Sequence, residues 1–226
     1  MSLLLQIETA TTACSVALTR DGQVIAVREL NERNIHAEVI TVFIEEVFKT
    51  AGLTYADLDA IAVSSGPGSY TGLRIGVSTA KGLCYALDKP LIAVETLQAM
   101  VDGMIAHAPE QNVWLCPMID ARRMEVYTAL FDAQGDRVEP TSAQIIDEHS
   151  FTEVLERHKI LFFGDGAAKC REVLGKHPNA LFDTELINSA TFLTRRALQK
   201  LEAKEFEDVA YYEPFYLKDF IAGKKA

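Results

Sequence analysis

The chain has 226 residues, about one and a half times a common domain length of roughly 150, which fits one large domain or two small lobes. Its 22 lysines and arginines stand against 32 aspartates and glutamates. A net charge of −10 disfavours holding a polyanion unaided, because phosphate neutralisation is the main sequence-independent source of affinity for nucleic acid or an anionic membrane. Hydrophobic residues at 49% and charged residues at 24% match a globular protein and exclude a disordered one.

Leu3-Leu4-Leu5-Gln6-Ile7-Glu8 follows no basic segment and its apolar run is broken, so no secretory leader is expected. No apolar stretch approaches the roughly 18 residues of a membrane span. Cys14, Cys84, Cys116 and Cys170 are scattered without a C-x-x-C pair, which points to a cytosolic protein without a zinc knuckle or disulfide framework.

Leu3 to Ile7 reads as a buried strand, and Cys14–Thr19 and Gln23–Glu29 as a hairpin around Asp21-Gly22, a dipeptide that tolerates positive φ. From Ile35 to Ala51, Ile35, Val39, Val42, Phe43 and Val47 recur at helical spacing, Ile40 and Ile44 widen the stripe, and Gly52 sits at the C-cap. Ala60–Ser64 reads as a central strand, Gly66-Pro67-Gly68 as a turn, and Thr71–Leu87 as a helix stopped before Pro90. Strand Leu91–Val94 and helix Thr96–Ile105 complete the first half. After the break at Pro109–Asn112 come strands Val113–Ile119 and Glu125–Phe131, a weaker strand Gln144–Ile146, helix Phe151–Arg157, strand Ile160–Phe163 and helix Ala167–Leu174. A long C-terminal helix near Ser189–Ala203 follows, and the tail Gly223–Ala226 is expected to be mobile. Each half thus runs three strands, helix, strand, helix, which predicts two related α/β lobes, residues 1–108 and 109–226.

The segment Ser65-Gly66-Pro67-Gly68-Ser69-Tyr70-Thr71-Gly72 leaves a strand and opens a helix, where backbone N–H groups can hold an anion, so Gly66, Gly68 and Ser69 are candidate nucleotide or anion contacts. It matches neither the Walker loop nor G-x-G-x-x-G, since Gly72 arrives one residue late, nor G-x-S-x-G. A tight turn with no ligand is the alternative. Gly72, Gly76 and Ala80 then fall four apart on one helix face, suited to close packing on the chain's own sheet or on a partner helix. His36, His107, His149, His158 and His177 form no H-x-x-x-H pair, so no metal site is expected. Asp120-Ala121-Arg122-Arg123 is an anion clamp or a hairpin tip, and Gly164-Asp165-Gly166 a backbone approach to a nucleotide or a plain strand exit.

At Ile7 to Ala17, Ser65 to Gly76, Ile119 to Tyr127 and Glu213 to Leu217, the sequence resembles the bacterial TsaB (YeaZ) family, and the match spans essentially the whole chain. The resemblance implies the fold shared by actin, Hsp70 and sugar kinases (ASKHA), and a part in making threonylcarbamoyladenosine in tRNAs that read codons beginning with adenine. It implies work in a complex with the catalytic paralogue TsaD and the ATPase TsaE. In the paralogue a Val-Asn-His-x-x-Gly-His segment binds metal through its histidines. The similar stretch here, Val94 to Met100, places Thr96 and Met100 at those positions, and neither a hydroxyl nor a thioether replaces imidazole. Glu8 stands where actin-type ATPases use an aspartate.

The resulting expectation is a non-catalytic scaffold or activating subunit that needs no cofactor of its own, with ATP or ADP at the complex interface, and meets tRNA only through the complex. The resemblance puts the heterodimer contact on the first-lobe helices, and the residues that fit are Ile35, Val39, Ile40 and Phe43 with Leu73, Gly76, Val77 and Ala80. Without its partner the chain is expected to homodimerise through the same helices. An actin-fold ATPase or kinase and a glycoprotease-type metallopeptidase are the competing readings.

Overall fold

The computed structural model describes residues 2–108 and 112–218, so the tail Gly223–Ala226 lies outside the described residues. The first five strands, β1 (Leu3–Glu8), β2 (Ala13–Arg20), β3 (Gln23–Asn31), β4 (Ala60–Ser64) and β5 (Leu91–Val94), form one sheet in the order β3-β2-β1-β4-β5. Strands β6 (Trp114–Asp120), β7 (Glu125–Phe131), β8 (Arg137–Ile145), β9 (Ile160–Phe163) and β10 (Ala180–Asp183) form the second, ordered β10-β9-β6-β7-β8. Numbered within its own half, each sheet reads 3-2-1-4-5, the first three strands antiparallel and the others parallel to the first. The duplication expected from element order is therefore a duplication of topology.

β1 is buried along its whole length because both faces of the first sheet are covered, and period 2 divides its side chains between them. Leu3, Leu5 and Ile7 pack under α1 (His36–Ala51) and α2 (Tyr70–Leu87), against Ile40, Ile44, Val77 and Ala80. Leu4 points the other way with Ala17, Ala60, Ala62, Ile92 and Val94. That second face is closed by Ala99 of α3 (Thr96–Met104) and by Ala190, Leu193 and Ala197 from the end of the chain, where a 3-10 turn (Ala190–Leu193) runs into α6 (Thr194–Ala203). The rest of α3, through Leu97, Met100, Val101 and Met104, covers the second sheet at Leu115, Ile119, Phe131 and Phe163. α5 (Ala167–Leu174), preceded by the single-turn α4 (Thr152–Leu155), covers its opposite face. A cut at residues 108/109 separates the two sheets, but the helix that seals the first comes from beyond it.

After α6 the chain returns along the first half. Glu207 N–H donates to Leu91 O (2.9 Å), Lys81 Nζ donates to Tyr212 O (2.9 Å), and Phe215 N–H donates to Ser65 O (2.7 Å). Lys218 pairs with Glu125 on the second sheet.

Most predicted elements stand where expected, and the differences have local causes. The strand expected at Gln144–Ile146 runs over Arg137–Ile145, because an exposed edge strand has no apolar alternation to announce it and tolerates Pro140. The short β10 was missing from the expected order. The helix expected over Phe151–Arg157 is one turn, entered through Phe151 in the left-handed region (φ 61°).

Candidate functional site

Two regions of the first half converge on the loop between β1 and β2. Glu8 ends β1, and its Oε1 accepts from Ala10 N–H at 2.6 Å. Thr9 N–H donates to Ser64 Oγ at 3.3 Å, and Ser69 N–H donates to Ala10 O at 2.7 Å. The buried His36 at the start of α1 places Nε2 3.0 Å from Thr11 O and 3.2 Å from Ala13 O. Both neighbours are carbonyl acceptors, which assigns the proton to Nε2. A Cβ on Gly68 would lie 2.4 Å from Ala10 O, one on Gly72 2.1 Å from Thr9 O, and one on Gly76 2.2 Å from Thr9 Oγ1. The glycine face of α2 is thus cut to fit this loop, and close packing on the chain's own structure explains the spacing.

Those contacts correct part of the expected site. Gly66 N–H donates to Thr96 Oγ1 (3.1 Å), Ser69 N–H is taken by Ala10 O, and Ser69 Oγ caps α2 by accepting from Gly72 N–H (3.2 Å). Gly66 (φ +105°) packs its bare Cα on the carbonyl of Phe215. Of the residues expected to contact an anion, Gly66 and Ser69 thus have their N–H groups bonded internally, and Gly68 packs closely on Ala10. Ile40, Leu73, Gly76, Val77 and Ala80, expected on a partner interface, are buried in this chain's own core. Ile35, Val39 and Phe43 remain half-buried on its rim, joined by Ile75 and Leu83. The outward apolar residues of the two helices are Val42, 48% exposed, and Tyr85, 87% exposed. A wide apolar stripe marks the buried side of a helix; Val42, counted in that stripe, faces outward, and Tyr85 was not marked by periodicity.

The β1–β2 loop also lines a cleft between the two halves. Its cavity of about 300 Å³ is bounded by Thr12, Asn31, Glu32, Arg33, Asp120 and Asp165. An adjoining recess of about 30 Å³ is lined by Thr11, Ala13, Met100, Gly164 and Asn188 among others. Asp120 pairs with Lys169 and accepts from Arg122 N–H at 2.9 Å, while Asp165 Oδ1 accepts from Asp120 N–H at 3.0 Å. The Asp120–Arg123 turn is thereby a hairpin tip organised by its aspartate, with Arg122 and Arg123 at positive φ. Burial raises the Asp165 carboxyl above its ordinary range, opposed by the hydrogen bond from Asp120 N–H and helped less by the charge of the Asp120 carboxylate.

Beneath the cleft, burial pushes the Glu8 carboxyl from 4.5 to about 7, against the opposing Ala10 N–H and the nearby Ser64 and Asn188 side chains. Glu8 Oε2 is fully buried, and the Asn188 side chain beside it favours the Glu8 anion through a hydrogen bond. Nothing in the sequence marked Asn188, which meets Glu8 only through the fold. Thr96 is buried and accepts from Gly66 N–H, and Met100 is buried with its methyl against Gly164. Among the described residues no group of three His, Cys, Asp or Glu side chains comes together to hold a metal ion.

Comparison with known proteins places this geometry in a family. The chain matches the family model described as TsaD, tRNA N6-adenosine threonylcarbamoyltransferase, over residues 23–223. It is 34% identical over 229 residues to the tRNA threonylcarbamoyladenosine biosynthesis protein TsaB of Escherichia coli, covering 98% of this chain and 97% of that protein. The chain belongs to the TsaB family. The solved structure of YeaZ from Pseudomonas aeruginosa superposes with a TM-score of 0.79 at 26% identity, over 96% of this chain and 100% of that one. A polyphosphate/ATP-glucomannokinase from Arthrobacter superposes with a TM-score of 0.52 at 10% identity, over 90% and 100%, which shows the actin and sugar-kinase fold alone. The TsaB family thus accounts for the duplicated α/β halves. No helix among the described residues is long and apolar enough to cross a membrane.

Proposed function

We propose that this chain takes part in tRNA threonylcarbamoyladenosine biosynthesis as a non-catalytic, activating subunit that docks the catalytic paralogue TsaD. The observation that carries this reading is the fate of Thr96 and Met100. At the positions that correspond to the paralogue's metal-binding histidines, this chain has a hydroxyl bound to Gly66 N–H and a thioether packed in the core. Neither side chain is an apt ligand for a hard or borderline metal. Docking uses the outward face of α1 and α2, where Val42 and Tyr85 are exposed and Val39, Phe43 and Ile75 form the half-buried rim. The same face pairs two copies when the partner is absent. TsaE joins the complex, ATP or ADP sits at its interface, and the net charge of −10 leaves tRNA to the partners.

The test is reconstitution of tRNA modification from purified TsaD, TsaE and substrates, with and without this chain. Activity should fall sharply in its absence, and full activity without it would sink the assignment. Tyr85→Ala should weaken the complex by about 2 kcal/mol, roughly 30-fold in Kd, while leaving the thermal midpoint unchanged. An unaltered Kd in sedimentation velocity for both Tyr85→Ala and Val42→Asp would remove the docking face from α1 and α2.

A further inference from the structure

We propose that the polar seam by which the segment 188–203 docks on the first sheet is a proton-operated latch, released when Glu8 gives up its proton. This inference does not depend on the docking reading above. Period 2 puts Leu4, Gln6 and Glu8 of β1 on one face of the sheet, with Ser15 and Ala17 of β2 beside them. Leu4 and Ala17 are covered by apolar side chains, Leu193 and Ala197 among them. The rest of the seam is tied by hydrogen bonds. Gln6 Nε2 donates to Thr194 Oγ1 at 3.0 Å, Ala190 N–H donates to Ser15 Oγ at 2.8 Å, and the Asn188 side chain bonds the Glu8 carboxyl. Gln6, Glu8, Ser15 and Asn188 are all buried. Water offers the same bonds to each of these groups, so a seam tied in this way opens more readily than one closed by apolar side chains alone.

Of those four buried side chains Glu8 alone can ionise. Its carboxyl is bonded from the β1–β2 loop through Ala10 N–H, from β4 through Ser64 and from the end of the chain through Asn188. Burial outweighs these bonds and holds the carboxyl at about 7, against 4.5 where water reaches it. The proton therefore favours the closed seam, and ionisation favours the hydration that opening supplies. Closure is at full strength below 4.5 and weakens as pH rises through 7. Three other titratable groups adjoin the latch. Cys14 on β2 faces Glu8, and burial pushes its thiol up to about 12, so it stays neutral in this range. His36 of α1 bonds the loop at Thr11 O and Ala13 O, and Asp165 of the second half lines the same recess as Asn188.

Amide hydrogen exchange of the full chain between pH 6 and pH 8, corrected for the intrinsic pH dependence of exchange, tests this. The amides of α6 should exchange at least about tenfold faster than those of β4 at either pH, the mark of an opening that leaves the sheet intact. Their opening constant should rise about tenfold from pH 6 to pH 8, the ratio that values of 7 closed and 4.5 open require. In Glu8→Gln, which keeps Cys14, His36 and Asp165, that rise should vanish. Thr194→Val, which removes the tie to Gln6, should raise the opening of α6 about fivefold at both pH values and leave the pH dependence in place. Protection of α6 equal to that of β4 would mean that the two open only by global unfolding. That result, a parent without the rise, a rise that persists in Glu8→Gln, or a Thr194→Val variant that exchanges like the parent would each overturn the proposal.

Discussion

Replacing Gly72 by alanine is expected to lower the unfolding free energy by about 3 kcal/mol, although alanine is the better helix former by about 1 kcal/mol. The added Cβ would stand 2.1 Å from Thr9 O, a backbone atom rather than the end of a flexible side chain. The loop has no room to yield, since Thr9 N–H is tied to Ser64, Ala10 O to Ser69 N–H, and Thr11 and Ala13 O to His36. Gly82, in the same helix, has nothing within 4 Å of its Cβ position. Gly82→Ala should therefore stabilise the protein by about 0.5–1 kcal/mol through helix propensity alone. Urea denaturation of the two variants checks the pair, and equal stability of both would contradict the packing of α2 on the loop.

Glu8→Gln is expected to stabilise the protein at pH 8 by about 3 kcal/mol and to leave it unchanged near pH 4. The native carboxyl titrates at about 7 and the unfolded one near 4.5. Below 4.5 both states hold the proton. Between 4.5 and 7 the unfolded chain releases it while the native state keeps it, so stability falls as pH rises through that window and then levels. Glutamine keeps the acceptor that Ala10 N–H needs and cannot ionise. Asp165, also raised, adds a slope of the same sign in both proteins. Denaturation midpoints measured from pH 4 to pH 8 should diverge between parent and variant; parallel curves would mean that Glu8 is not held in a charge-disfavouring site.

Where local chemistry sets the structure, the sequence announces it. Asp21-Gly22 turns with φ of 49° and 81°, Gly52 ends α1 in the left-handed region, and the apolar runs of β1 and β4 are strands buried on both faces. Elements whose stability is borrowed from neighbours were harder to see: β8 is an exposed edge, and β10 is four residues long. Leu73, Gly76, Val77 and Ala80 were expected at an interface because the resemblance put the contact on these helices and small residues share one face, which says that a face is covered but not by what. Family membership was legible in the motifs because they lie in contiguous segments. The cleft was not, because Glu8 and Asn188 are far apart in sequence and Asn31 and Asp165 belong to different halves.

The sealing of the first sheet by α6 bears on how the chain comes off the ribosome. Leu4, Ala17, Ile92 and Val94 belong to strands made early, yet the residues that cover them, Ala190, Leu193 and Ala197, are made near the end. The second face of the first sheet stays incompletely covered until residues 190–197 have emerged, so a nascent chain carries exposed apolar surface over that interval.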